Sequence, residues 1–313
     1  MMIVIDIVIP VFAVILLGYV LGRTKLAGSG NLKGLSNFVF FVSVPALLFR
    51  TLGKGQAHPA GDFDLVQAYF LAVLLLFGLT MLIGRAVFRL RLEDQAVMAM
   101  GATFSNTVML GIPLTYAAFG DAGLLLMMLI VSFHSAILIP LTTIAIELGR
   151  GSGGHPVKVA GSTLVSLLKN PVIVSIFGGL LWSEAGLPIP GTLDRVLAIL
   201  ASAALPATLY VLGAQLSAFK LGGDAGQSAT VVALKMLLHP ALAWISATQI
   251  FALDPLPTAV AVIVAALPTG INVFIMAERY DRYIARTATA VLVSTALAIV
   301  SQAFLVAQFA GVR

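Results

Sequence analysis

Read for hydropathy, the chain alternates long apolar runs with short interruptions that are charged or rich in glycine and proline. The runs cover 3–22, 34–52, 65–89, 94–118 and 121–148, then 160–185, 191–217, 227–251, 256–278 and 283–309. A helix needs about 20 apolar residues to cross a bilayer core. The pattern therefore predicts an all-α polytopic membrane protein with ten transmembrane helices. Residues 1–148 and 159–313 form its halves. The segment between them, 149–158, reads as a cytoplasmic linker, Gly-rich and polar over Gly149–Pro156. It lacks the Gly-Lys-Ser/Thr ending of a phosphate loop. Met1–Ile9 carries no basic stretch and reads as the start of the first helix, not as a cleaved signal.

Two of the runs are interrupted from within. Ala265–Tyr280, AALPTGINVFIMAERY, is apolar at its start but carries Pro268, Thr269, Gly270 and Asn272 in the middle. Proline removes a backbone donor and crowds the preceding turn, and glycine loosens the chain, so the helix should break there. Phe104–Leu114, FSNTVMLGIPL, carries the same kind of interruption at Ser105, Asn106 and Thr107. In hydrocarbon, a broken helix is tolerated only where protein buries it or where it lines a wet cavity.

The two interruptions belong to a repeat. Pro10–Gly18 resembles Pro171–Gly179, and Val44–Phe49 resembles Leu205–Tyr210, with prolines offset by 171 − 10 = 161 and 206 − 45 = 161. By a similar offset, Ser105-Asn106 falls opposite Pro268-Thr269 (268 − 105 = 163). Five helices per copy is an odd number, so the second copy enters the membrane upside down. Two inverted five-helix repeats with broken helices 4 and 9 match the build of many secondary transporters.

Composition sharpens this in three ways. Hydrophobic residues make up 60% of the 313 and charged residues 10%, at a mean hydropathy of +1.06, which leaves no room for a sizeable soluble domain. The absence of cysteine excludes disulfides and thiolate chemistry. The net charge of +5 sits mainly in loops, as topology signals and not as a nucleic-acid surface. Loops after the odd-numbered helices hold Arg23, Lys25, Lys33, Arg85, Arg89, Arg91, Arg150, Lys158, Lys220, Arg279, Arg282 and Arg286. The other side holds Arg50, Lys54, Arg195 and Arg313. Twelve against four places the odd-numbered loops in the cytoplasm and both termini outside.

Where a helix breaks at mid-membrane, the second half-helix presents free N–H groups and a partial positive charge. Two such ends facing each other suit a carboxylate. Asn106 and Asn272 add amides, and Ser105, Thr107 and Thr269 add hydroxyls. The competing reading is that these groups satisfy neighbouring backbone or glue helices together. Ionisable groups within the spans are candidates for coupling: His134, His239 and Lys235. His239 can change charge near neutral pH, although a lone buried histidine is commonly a neutral core residue. Lys235 reads either as a lure for anions in a cytoplasm-facing cavity or as a residue that snorkels to the interface.

AALPTGINVFIMAERY, FSNTVMLGIPL and Lys169-Asn170-Pro171 together resemble the auxin efflux carrier family, which includes plant auxin exporters and bacterial malonate-type carriers. The resemblance implies a fold similar to bile-acid sodium symporters: a scaffold domain and a core domain in which helices 4 and 9 cross. It assigns Asn106 to the substrate site, and it implies a bacterial cytoplasmic membrane and a homodimer. In the family, a proline precedes that asparagine. Ser105 stands here instead, which implies a softer or displaced break in helix 4, while Pro268 keeps the proline in helix 9. The glutamate that helps bind sodium in sodium-coupled relatives has no counterpart at Leu267-Pro268-Thr269. Carbonyls and hydroxyls can still hold a hard cation, so sodium and protons both stay open as coupling ions.

These readings point to a carrier of small organic anions that works by alternating access and needs no cofactor or resident metal. A sodium-coupled symporter of the bile-acid type and a ligand sensor without transport are the alternatives. A membrane enzyme has no support, because HExxH, GxSxG, paired acidic clusters and nucleotide loops are all missing.

Overall fold

The computed structural model describes residues 2–24, 29–54, 63–151, 161, 165 and 168–312. Lys25, Lys158 and Arg313 of the charge count lie outside these residues, as does the linker beyond Gly151. The described chain is helical apart from its turns and short extended links. Its helices are α1 (Met2–Gly22), α2 (Leu32–Gly53), α3 (Phe63–Ala86), α4 (Leu92–Thr103), α5 (Thr107–Arg150) and α6 (Pro171–Glu184). They continue with α7 (Gly191–Leu216), α8 (Ala225–Ile250), α9 (Pro255–Ala265), α10 (Ile271–Tyr280) and α11 (Ile284–Gln308). Among the described residues, six are long and apolar enough to cross a membrane: α2, α3, α5, α7, α8 and α11.

Prolines shape the long helices. Each proline at 45, 113 and 240 stands two residues beyond the end of a wide π-turn, at Val39–Ser43, Thr107–Gly111 and Leu234–Leu238. A proline cannot donate to the carbonyl four residues back and its ring crowds that carbonyl, so the preceding turn widens. Those carbonyls belong to Phe41, Met109 and Met236, inside the three wide turns. A sharper bend comes at Gly120 in α5, where φ +62° and ψ −151° leave the helical region and only glycine fits without strain. Leu82, Ile199 and Val300 point outward at 60%, 71% and 71% exposure, so apolar side chains cover the outside as a lipid-facing surface requires.

The helices form two layers that mix the halves of the chain. In the first, α1 lies on α7, and α2 on α6 and the start of α7. A Cβ at Gly18 would stand 2.2 Å from Tyr210 O, and one at Gly213 would stand 1.9 Å from Ile15 O. The backbones of α1 and α7 therefore touch, which only glycine allows. The second layer joins α3, α4 and α5 to α8, α9, α10 and α11. At one end of the bundle, Arg282 reaches Glu93 (3.7 Å) and Asp94 (4.0 Å), and Arg150 donates to the Tyr280 carbonyl. At the far end of α2, Arg50 and Lys54 pair with Asp194 at 2.7 and 3.3 Å.

Candidate functional site

The helical interruptions meet in space. Between α4 and α5, and between α9 and α10, the chain becomes extended, and Ser105 and Thr269 form an antiparallel β-bridge. Asn106 N donates to Pro268 O at 2.9 Å and Gly270 N donates to Phe104 O at 2.8 Å. Gly270 is needed for this approach: a Cβ there would stand 2.9 Å from the Phe104 ring and 3.1 Å from Ser105 O. Ser105 does not soften the break. α4 ends at Thr103 and helical turns resume only at Thr107, because the opposite extended segment and nearby side chains take up the freed backbone groups.

The accounting is nearly symmetrical. An unbroken α4 would pair Ser105 N with Gly101 O. Ser105 N instead donates to His134 Nε2 at 3.1 Å, and Thr269 Oγ1 satisfies Gly101 O at 2.8 Å. An unbroken α9 would pair Thr269 N with Ala265 O. Thr269 N instead donates to Ser294 Oγ at 3.0 Å, and Lys235 Nζ satisfies Ala265 O at 2.5 Å. Lys235 Nζ also donates to Ser105 Oγ at 2.8 Å and lies 3.0 Å from His239 Nδ1. Tyr69 closes the cluster, with its hydroxyl 3.4 Å from Ser105 Oγ and 3.5 Å from His134 Nδ1.

Buried polar backbone must be paired, so each of these side chains stabilises the crossing. Replacing Thr269 with the near-isosteric valine strands the Gly101 carbonyl. The expected cost is about 1–3 kcal/mol, read as a lower unfolding temperature in a thermal-shift assay; an unchanged midpoint would show that the carbonyl finds another donor.

A cavity of about 1130 Å³ lies between the two layers, with the crossing along one wall. Asn106, Thr107, Gly270 and Asn272 border it from the second layer, and Ser36, Asn37, Asn170 and Gln215 from the first. It extends toward Glu147, Glu278, Arg279 and Tyr280, near the Arg150 contact. The first turns of α5 and α10 both border this space, so the positive ends of two half-helices face it. Asn106 Nδ2 is buried without a partner, a donor left over at the cavity wall.

The sequence candidates thus divide. Asn106, Thr107, Asn272, Gly270 and Ser105 border the cavity, whereas Pro268 and Thr269 are spent in the bridge and its support. His134, Lys235 and His239 are fully buried behind the crossing. Lys235 neither snorkels nor faces the cavity, because the carbonyl of Ala265 and the Ser105 hydroxyl hold it in place. Sequence reasoning missed Tyr69, Ser294 and Gln215, whose buried Oε1 also lacks a partner. Only Ser294 had a signal: it follows His134 by 294 − 134 = 160, close to the repeat offset.

Residues 3–306 match the model of a family described as membrane transport protein. The chain belongs to that family. This is the auxin efflux carrier family of the motif resemblance. Among its relatives, the chain is similar to a Rhizobium meliloti (strain 1021) protein named "Putative malonate transporter", at 25% identity over 93% of this chain and 91% of that one. It is 23% identical to an uncharacterised transporter of Methanothermobacter thermautotrophicus over 94% of each chain. It is also 25% identical to a mouse lysosomal cholesterol signaling protein, over 64% of this chain but 24% of that one. The family and two of these relatives are named for transport, and the apolar helices agree with an integral membrane protein.

Proposed function

We propose that this member of the family is a secondary carrier of small organic anions, built from ten transmembrane helices as two inverted five-helix repeats. On this reading residues 1–148 and 159–313 are the repeats, and both termini lie outside a bacterial cytoplasmic membrane. α4 with the first arm of α5, and α9 with α10, are its broken helices 4 and 9. The layer of α1, α2, α6 and α7 is the scaffold against which the other layer shifts, alternating the side to which the cavity opens.

One observation carries the reading: two half-helix N-termini and the unpartnered Asn106 amide border a cavity between the two layers. Such a wall offers hydrogen-bond donors and positive dipole ends to a carboxylate without a buried arginine. Asn106, Thr107 and Asn272 would contact the substrate, Ser105 and Gly270 would shape the wall, and Pro268 and Thr269 would hold the crossing. The name of the Rhizobium meliloti relative makes malonate the first probe.

Counterflow into proteoliposomes, with a panel of mono- and dicarboxylates and indole acids, tests this directly. Saturable exchange of at least one carboxylate is expected. Exchange only in the presence of sodium would favour the bile-acid type of symporter. Binding without any exchange would favour a ligand sensor, the reading that the name of the mouse relative supports.

A further inference from the structure

Behind the cavity wall, the buried cluster of Lys235, His239, Tyr69 and His134 has a property that anion binding alone does not require. Lys235 is fully enclosed, and among the described residues no carboxylate pairs with it. A buried charge without a counter-ion is costly, and the group tends to shed it. The groups around it are few. α8 contributes His239, α3 contributes Tyr69, and α5 contributes His134. α9 offers the Ala265 carbonyl and contains no titratable residue. The titratable residues of α4 (Glu93 and Asp94) and α11 (Arg286) lie in first turns, away from the crossing. The nearest place for a negative charge is therefore the cavity beyond Ser105, whose hydroxyl Lys235 holds.

We propose that Lys235 and His239 form a single proton site behind the crossing, and that the protein takes up one proton there with each carboxylate it binds. The inference rests on the anion-carrier reading above. The hydrogen bonds fit both states. Without the proton, the Lys235 amine donates to Ala265 O and Ser105 Oγ and accepts from His239 Nδ1–H. His239 Nε2, buried and without a partner, is then the free acceptor. Uptake adds a proton from solvent to Nε2 while the Nδ1 proton passes to Nζ. The product is an ammonium donating to the same three atoms, beside a neutral imidazole with its proton on Nε2. One proton enters and the net charge rises by one, opposite the arriving carboxylate. His134 is not the site, because its Nε2 already accepts from Ser105 N, and protonation there would break that bond.

Coupling of this kind is reciprocal: the proton raises anion affinity and the anion raises proton affinity. Malonate is added to purified protein in weakly buffered solution containing a pH-sensitive dye, from about pH 5 to about pH 11, a range that includes the ordinary midpoints of histidine and lysine. Retention of radiolabelled malonate is measured alongside. The wild type is expected to take up a proton on binding, and its affinity should fall by up to about tenfold per pH unit on the alkaline side of the site. Sodium or choline as the background cation should make no difference. Lys235→Met should bind more weakly, with no uptake. Lys235→Arg, which stays charged, should bind with no uptake and a flat pH profile. Malonate binding by the wild type with no proton uptake anywhere in the range overturns the proposal on its own, whatever the variants do. Uptake that persists in either folded variant, or binding that needs sodium, overturns it as well. If neither malonate nor any other acid of the counterflow panel binds or exchanges, it is the carrier reading that fails.

Discussion

Replacing Asn106 with alanine is expected to slow carboxylate counterflow by roughly 10- to 100-fold, the loss of one hydrogen bond to a charged group, while leaving the fold intact. The asymmetry between function and stability follows from the atoms involved. Asn106 Nδ2 has no hydrogen-bond partner within the protein, so its removal breaks no internal hydrogen bond at that atom. The parts of Asn106 that hold the crossing are main-chain: its N–H donates to Pro268 O, and its carbonyl accepts from Leu110 and Gly111. Alanine keeps all of these. A residue kept only for packing or backbone support would behave in the opposite way, losing melting temperature before activity. The measurement is counterflow of each accepted acid together with a thermal-shift midpoint. Normal exchange of every accepted substrate by Asn106→Ala would remove the residue from the site and, with it, the main support for the cavity as the binding place.

The helices and the two interruptions were legible in the sequence because hydropathy and proline act locally. The runs at 34–52, 65–89 and 283–309 became α2 at Leu32–Gly53, α3 at Phe63–Ala86 and α11 at Ile284–Gln308. The pairing of the interruptions was legible through the common sequence offset, but the depth of the first break was not. Ser105 stands where the resembled family has proline and is a weaker helix breaker, which predicts a softer or displaced break. The break is instead held from a distance, by His134 on Ser105 N, Lys235 on Ser105 Oγ and Thr269 on Gly101 O. None of these partners lies on the same segment, so no local pattern could announce them. Lys235 shows the same limit. Its position within an apolar run suggests snorkelling, yet a half-helix whose last carbonyl has lost its N–H partner holds a hydrogen-bond donor inside.

Gly213→Ala is expected to lower stability by more than the roughly 1–3 kcal/mol of ordinary overpacking, and in practice to yield little folded protein. A Cβ at this position would lie 1.9 Å from Ile15 O and 2.8 Å from Tyr19 N, both backbone atoms of α1. No rotamer change can relieve that clash, so α1 and α7 would have to separate along their contact. Gly78→Ala in α3 is the matched control, since a Cβ there meets nothing within 4 Å. In a helix interior, alanine is favoured over glycine by about 1 kcal/mol, so the control should be neutral or slightly stabilising. Comparing monodisperse yield and thermal midpoint for the two variants separates helix propensity from close approach. The comparison also bears on function, because an alternating-access carrier needs one layer that stays rigid while the other shifts. Backbone contact between α1 and α7 would supply that rigidity, since packed interfaces do not deform continuously. Equal stability of the two variants would mean that α1 and α7 can part at little cost, and the layer containing them could not serve as the fixed frame.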